Sequence, residues 1–501
     1  MLEPVTGKTQ RRPPLLQFSQ IVKNRVKYKF SFLAFINVIT EKRVRDFEGR
    51  KMSEHIFRAY DIRAVFNEEV DVENVARIGL AFGTYLGGEG QVFTGRDIRT
   101  SSKIVESAVA SGICSTGCDV TSLGLLPIPL LNFYLWKHKP KAGLMVTASH
   151  NPPEFTGLRF RRSDGTGYSK ENKAIKEIYF KGKFLKKPWN KLGEFTSINT
   201  QVVISEYNNY LLDRISLDRE LKVVLDPGSG TASVVAPQLF RKAGCKVFTI
   251  NSQIDGTFPG RDPYPHEGTI DDLQKITRDH SADLGVAYDG DADRAVFVDD
   301  KGRIIKPEIA GVLFIRDALS KKKGKVVANV SSSLIVQEQV EAMGGELVYE
   351  RVGDVFMTEA IKENDAVFGI EPSGHFYSNL FYPFDDGIQS SLLLAEIISK
   401  QNKPLSELVD EIPQYPKIEE TVKCPDEKKF QVVEKTKEKL EKRGYKLNLM
   451  DGVRVDLQEG WALVRPSNTQ PLIRVTVEAK TESKLKELRA EMLQLLKEEM
   501  K

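Results

Sequence analysis

Cysteine is scarce in this chain: four in 501 residues, at Cys114, Cys118, Cys245 and Cys424, with no CxxC pair. That spacing argues against a disulfide framework or a zinc site and points to a reducing cytoplasm. Membrane-length apolar runs are missing too. The run Phe30–Ile39 is broken by Ser31 and Asn37 and reaches about half the length of a membrane span. It also lies too far in, behind too many charges, for an ordinary signal peptide. A basic excess is absent from most of the chain. The net charge is +4, but residues 1–51 hold 12 Lys and Arg against 4 Asp and Glu, and the other 450 hold 61 against 65. Nothing in the bulk calls for nucleic acid or a membrane.

The basic, acid-poor N-terminal stretch suits a transit peptide or a nucleic-acid arm. The plainer expectation is a disordered extension, or translation from a start upstream of the true one. Met52 is then the start, since patterned sequence begins at Ile56.

What remains is an ordinary globular composition, 41% hydrophobic and 28% charged, long enough for about three or four domains. One pattern recurs three times. Gln91–Thr94 leads through a polar turn into a helical stretch, Ser102–Ser111, and then Gly117–Val120. Leu221–Leu225 leads through Asp226-Pro227-Gly228-Ser229-Gly230 to a helix ending near Phe240, then Ala243–Val247. Lys325–Val330 leads through Ser331-Ser332-Ser333 to a helix ending near Ala342, then Gly344–Val348. Each reads as strand, small polar turn, amphipathic helix, glycine stop and strand, so three related α/β domains are predicted. The C-terminal part differs. It reads as a charged helix over Phe430–Lys442, strands at Val453–Leu457, Trp461–Val464 and Leu472–Ala479, and an amphipathic helix over Glu482–Lys501. That is a smaller α+β domain. Lys181–Lys191 and Pro413–Lys428 read as boundary loops.

Four loops carry chemistry. Thr147-Ala148-Ser149-His150-Asn151-Pro152 follows the apolar run Ala142–Val146, at a strand end where ligands sit in open α/β sheets. Ser149 there reads as a nucleophile or phosphate carrier, or as part of a rigid turn. Asp289-Gly290-Asp291-Ala292-Asp293-Arg294 puts three carboxylates in one tight loop between apolar strands, a set that needs a hard cation or a buried base. An EF-hand fits badly, because Arg294 stands where glycine is needed. A haloacid-dehalogenase phosphatase with Asp289 as nucleophile and Asp291 as acid is a fair rival. Glu371-Pro372-Ser373-Gly374-His375 offers acceptors for vicinal hydroxyls, although His375 also reads as a core histidine. Arg465-Pro466-Ser467-Asn468-Thr469-Gln470, with Arg474 beyond, reads as an anion cradle.

Together and in this order the four loops resemble the α-D-phosphohexomutase family, from about Ile56 to Ala479, with Tyr60-Asp61-Ile62-Arg63 and Gly95–Ser102 adding to the match. The resemblance implies four domains around a central cleft, three mixed α/β and one α+β: 52–203 with a phosphoserine loop, 204–304 with a metal loop, 305–416 with a sugar loop and 417–501 with a phosphate loop. It implies phosphoryl transfer between O6 and O1 of a hexose through phosphorylated Ser149 and a hexose 1,6-bisphosphate. Asp289, Asp291 and Asp293 would hold Mg²⁺ with a phosphoserine oxygen. Glu371, Ser373 and His375 would meet the sugar. Arg465, Ser467, Asn468, Thr469 and Arg474 would clamp the distal phosphate from a hinged fourth domain. Tyr60, Arg63, His150 and Arg294 would support them. Small sugar phosphates are the expected partners, in a chain that is cytoplasmic and could be a homo-oligomer.

Three positions depart from the family pattern. Ala64 replaces a glycine, placing a Cβ where a positive φ is conceivable. Gln470 replaces a glutamate. Arg159 replaces a lysine, and an arginine is a poor general base, which moves that role to His150 and leaves a non-catalytic sugar-phosphate binder as a further rival. Phe384-Asp385-Asp386-Gly387 resembles the mannose and glucose enzymes more than the glucosamine ones, so glucosamine phosphate is expected to be a poor substrate.

Overall fold

The strand Gln91–Arg96 carries buried Val92, Phe93 and Thr94 and sits inside a six-stranded sheet. Its parallel neighbours are Ala142–Val146 and Asp119–Leu125, and the helix Ser102–Ser115 crosses from it to the latter. Gly117 (φ 101°) ends that crossover in a conformation that favours glycine. The second and third copies of the pattern form in the same way. Lys222–Asp226 pairs in parallel with Lys246–Thr249, and Lys325–Asn329 with Glu346–Glu350, in sheets of five and four strands. The fourth sheet has five strands, all antiparallel, backed by the helices Asp426–Lys442 and Glu482–Glu499. This computed structural model describes residues 53–467 and 471–500, so the expectations for residues 1–51, Asn468, Thr469 and Gln470 lie outside the described residues.

Each of the four loops is the turn of an antiparallel hairpin. Val146 pairs with Leu158 around the serine loop, and Tyr288 with Ala295 around the aspartate loop. Ile370 pairs with Phe376 around the glutamate loop, and Pro466 with Ile473 around the last. A hairpin fixes both ends of its loop, so the side chains between are held by two strands.

Two boundary expectations change. Within Pro413–Lys428 the segment Lys417–Lys423 is a strand, paired along its length with Leu472–Ala479. Its Lys and Glu content reads as linker, yet charge is tolerated on an edge strand. The short strand Phe195–Ser197, all exposed, extends the first sheet unforeseen. Lys181 ends the helix Lys170–Lys181, and from Gly182 to Lys191 the chain is irregular apart from the turn Trp189–Lys191, as expected of a surface loop. Residues 203 and 204 lie inside the helix Thr200–Leu212. Ala64 is buried in the strand Ile62–Val65 and is absent from the residues with positive φ, so its Cβ causes no strain.

The first three sheets share one apolar core, reaching from Phe93 to Ile412, and the fourth has its own. The third and fourth sheets meet through buried polar groups. Arg454 Nη1 donates to the carbonyls of Val330 (2.5 Å) and Ser332 (3.2 Å), and its guanidinium stacks 4.2 Å from the Trp461 ring centre. Glu478 Oε1 accepts from Leu334 N, Ser333 Oγ and Trp461 Nε1 at 2.7, 3.0 and 3.1 Å, capping the helix Leu334–Ala342 from outside its own sheet.

Candidate active site

Ser149 is buried with a positive φ of 50°, unusual for a side chain with a Cβ and common where a turn serves a site. Thr147 Oγ1 accepts from Ser149 N (2.9 Å) and donates to Asp291 Oδ2 (2.9 Å), tying the serine loop to the aspartate loop. Ser149 Oγ donates to Asp289 Oδ2 at 3.0 Å and lies 3.2 Å from His150 Nδ1. The single hydroxyl proton points to Asp289, so His150 Nδ1 is the donor in the second contact. Burial, then Arg294 and Arg63, push His150 down to about 2, so it stays neutral. In this arrangement the neutral ring donates to the Ser149 oxygen.

Asp289, Asp291 and Asp293 present ligand atoms within 4.8 Å of one another, all buried. Burial and the neighbouring carboxylates raise Asp289 well above the usual range and Asp291 to about 6. Burial opposes ionisation of Asp293 as well, but His375, Arg159 and Arg294 outweigh it and hold that carboxyl low. Asp291 Oδ1 and Asp293 Oδ1 are buried without a hydrogen-bond partner. Two orphaned carboxylate oxygens in a set of three fit a hard divalent cation.

Arg159 is bound into the aspartate loop. Its Nη1 donates to Asp293 Oδ2 (2.9 Å) and its Nη2 to Asp354 Oδ2 (2.5 Å), so it joins the aspartate loop to the first turn of the helix Asp354–Glu363. Arg294 donates from Nε to His375 Nε2 (3.0 Å), whose Nδ1 stands 2.6 Å from Asp385 Oδ2. Burial disfavours a charged His375, yet Asp293 and Asp385 outweigh it and lift the ring to about 9. An imidazolium would set Nε2–H against the Arg294 donor. We assign the neutral ring, because the carboxylate charge that lifts it is charge a bound cation would offset. Either way, both ring nitrogens face protein partners.

Glu371 is buried. Its Oε1 accepts from Asn329 Nδ2 (2.9 Å) and Gly353 N (3.1 Å), and its Oε2 from Tyr377 OH (2.9 Å). Ser373, in the same turn, is half-buried. Arg63 holds Asp61 (2.7 Å), Asn151 Oδ1 (2.6 Å) and the Ala148 carbonyl (3.3 Å), so it braces the serine loop from behind. Tyr60 packs edge-on against Phe356, and burial followed by Asp354 and Asp61 pushes its hydroxyl up to about 12. On the fourth sheet Arg465 lies directly opposite Arg474 and pairs with Asp451 (2.7 Å), while Arg474 is exposed and Ser467 buried. Two arginines side by side on a ladder favour an anion between them. Contacts thus join the first three loops, and Asp451, which also accepts from Val352 N (3.5 Å), joins the fourth to the third sheet.

Sequence reasoning gave no role to Arg99 or Asp354. Arg99 Nη2 donates to the carbonyls of Ser149 (2.8 Å) and Asn151 (2.6 Å), and Nη1 to that of Pro152. The signal was present in Asp97-Ile98-Arg99, where Asp97 Oδ2 sits 3.1 Å from Arg99 Nε. Asp354 left only a Gly-Asp step before a helix.

Four consecutive stretches match the parts of one family, described as phosphoglucomutase/phosphomannomutase: alpha/beta/alpha domain I over residues 54–186, domain II over 205–302, domain III over 306–415 and the C-terminal domain over 419–495. The chain is 42% identical over 434 residues to "Probable phosphoglucosamine mutase" of Methanothermobacter thermautotrophicus, covering 86% of this chain and 95% of the relative. It is 35% identical to "Phosphoglucomutase/phosphomannomutase" of Thermococcus kodakarensis, covering 89% and 99%. A crystal structure of a phosphoglucomutase/phosphomannomutase family protein from Burkholderia thailandensis matches with a TM-score of 0.82 at 27% identity, over 90% of this chain and 98% of that one.

Proposed function

The chain belongs to the phosphoglucomutase/phosphomannomutase family of phosphohexomutases, and from that premise we propose that Ser149 carries the phosphoryl group it transfers. The observation that carries this reading is the Ser149 hydroxyl set 3.0 Å from Asp289 inside a buried set of three carboxylates. Asp289, Asp291 and Asp293 would hold Mg²⁺, which when bound offsets the charge of a phosphoserine. Arg294 places a second positive charge beside Asp289 and Asp293, at 3.9 and 4.0 Å. Phosphoryl transfer asks the protein mainly to position groups and neutralise charge, and this arrangement does both.

In the forward direction the phosphoryl group leaves Ser149 Oγ for a sugar hydroxyl, whose proton passes to the departing serine oxygen, giving a hexose 1,6-bisphosphate. The bisphosphate turns over, and Ser149 regains a phosphoryl group from its other end. Arg465 and Arg474 bind the phosphate that is not reacting, and the Glu371–Ser373 turn meets sugar hydroxyls. Glu371 already accepts three protein hydrogen bonds, so it offers its remaining lone pairs. Burial of Ser149 keeps water from the phosphoserine.

For the sugar, the Phe384–Gly387 segment argues less than its sequence resemblance does. Asp385 faces His375, and Asp386 caps the helix Gly387–Ser399 while accepting from Tyr207 (2.7 Å) and Tyr382 (2.8 Å). A Cβ on Gly387 would stand 2.6 Å from the Arg294 carbonyl. These residues support the aspartate loop. The names of the similar proteins favour the amino sugar, so we put interconversion of glucosamine 6-phosphate and 1-phosphate first, with glucose and mannose phosphates second.

Incubation with labelled glucose 1,6-bisphosphate tests the chemistry. An acid-stable label on Ser149, lost in Ser149→Ala, is expected. A base-labile acyl phosphate on Asp289 would show a phosphatase instead, and no label would show a binder. Side-by-side kcat/KM on the three sugar 1-phosphates then ranks the sugars, and a strong preference for mannose or glucose would reverse that ranking.

A further inference from the structure

The segment 251–268 has no part in the chemistry of the four loops, yet it touches both loops that meet at Ser149. On the serine side, a Cβ on Gly256 would stand 2.6 Å from the Ile98 carbonyl and 2.7 Å from Thr100 N, so the segment lies directly on that backbone. Phe258, buried at a φ of 52°, puts its ring centre 5.3 Å from the guanidinium carbon of Arg99. Arg99 is the side chain that holds the carbonyls of Ser149, Asn151 and Pro152.

On the aspartate side, Arg261 is buried. Its Nε donates to Asp226 Oδ2 (2.7 Å), and its Nη2 donates to the carbonyls of Asp226 (3.0 Å) and Tyr288 (2.7 Å). Tyr288 is the residue before Asp289. Gly228 (φ 56°) leaves the guanidinium its seat, because a Cβ there would stand 2.6 Å from Arg261 Cζ. Thr231 fixes the carbonyl two residues on from Tyr288, Gly290 O, through N (3.0 Å) and Oγ1 (3.1 Å). Between the two loops there is no room for a side chain, since a Cβ on Gly290 would meet the Ser149 carbonyl at 2.6 Å.

We propose that Arg261 is a positioning residue for phosphoryl transfer: from the segment 251–268 it sets the aspartate loop, while Phe258 of the same segment sets the serine loop through Arg99. This rests on the reading of Ser149 as phosphoryl carrier and of the three aspartates as a cation site. Arg261 touches no reacting atom. It acts through the Tyr288 carbonyl, and its buried charge-assisted bonds to Asp226 make that placement stiff. Displacements of about 1 Å in such a constellation cost on the order of 100-fold in rate.

Arg261→Lys keeps the charge but offers one nitrogen to four acceptors, the Asp262 carbonyl (2.9 Å) being the fourth. The full-length variant and the wild type are titrated calorimetrically with Mg²⁺ in the absence of sugar, then assayed for kcat and KM. Mg²⁺ binding about 10- to 100-fold weaker is expected, with a comparable loss in kcat and KM for the sugar phosphate held within about twofold. Asp226→Asn, nearly the same shape, is expected to act in the same direction and guards against a lysine variant that folds poorly. Phe258→Leu, which leaves Arg261 in place, is expected to lower kcat while Mg²⁺ affinity holds. Unchanged Mg²⁺ affinity in folded Arg261→Lys and Asp226→Asn overturns the proposal, as does a kcat loss that only mirrors a lost folded fraction. A wild type that binds Mg²⁺ but never labels Ser149 would defeat the proposed function alone, and the titration would still judge Arg261.

Discussion

Arg159 stands among three sheets: it grows from the first, bonds Asp293 of the second and reaches Asp354 of the third. Both carboxylates are buried, so removing the guanidinium takes away their close donor and leaves only the longer contacts of Arg161 to Asp354 (3.6 Å) and Arg294 to Asp293 (4.0 Å) in a low-dielectric site. Arg159→Ala is expected to lose about 3–5 kcal/mol of stability, the range for a broken buried pair, read from urea unfolding. Arg159→Lys reaches one of the two partners. Its kcat is expected to stay within about tenfold of wild type, about 1.4 kcal/mol, while the alanine variant loses more. An alanine variant as active and stable as the wild type would remove Arg159 from the site. The group links two carboxylates, and permanent charge suits that task.

At the scale of elements, the helix Gly387–Ser399 enters the molecule directly under the aspartate loop. Its cap, Asp386, is buried and accepts from Ile388 N and Gln389 N, both at 2.8 Å, as well as from two tyrosine hydroxyls. Burial pushes the Asp386 carboxyl up to about 6, but four donors aimed at it keep it ionised at neutral pH. Asp386→Ala removes a cap, worth about 1 kcal/mol, and strands two buried hydroxyls at about 1–3 kcal/mol each. A loss of about 3 kcal/mol or more is therefore expected in chemical denaturation. A loss below about 1 kcal/mol would mean that water replaces the cap. The hairpins follow the same logic. Each chemistry-bearing loop is pinned at both ends, so the strained turns at Ser149 and Ala292 (φ 63°) are maintained by strands rather than by the loops themselves.

At the scale of the molecule, the fourth sheet is held to the third by Arg454, Glu478 and Lys417, whose Nζ donates to Glu308 (3.1 Å) and the Ser331 carbonyl (3.2 Å). Arg454 is fully buried, so its removal takes the guanidinium donor from the carbonyls of Val330 and Ser332. Arg454→Ala is expected to let the C-terminal part, with its separate apolar core, melt in its own earlier transition in scanning calorimetry. A single transition at an unchanged temperature would show that the two cores unfold as one without this link. Among the described residues no helix is long and apolar enough to cross a membrane.

The sequence alone determined the local order: three strand–helix–strand repeats, an α+β end and four loops whose residue types imply phosphate, cation and sugar chemistry. Those features are periodicity, turn chemistry and spacing, which neighbouring residues carry. The charged edge strand Lys417–Lys423 was not legible, because its pairing energy comes from a partner about 50 residues away. Only the tertiary structure decided which groups face one another. It set Arg159 between Asp293 and Asp354, left His150 neutral beside Ser149, and spent Asp386 on a helix cap. The reason is physical. Burial and long-range charge set the state of each group, and the chain brings those neighbours together only after it has folded.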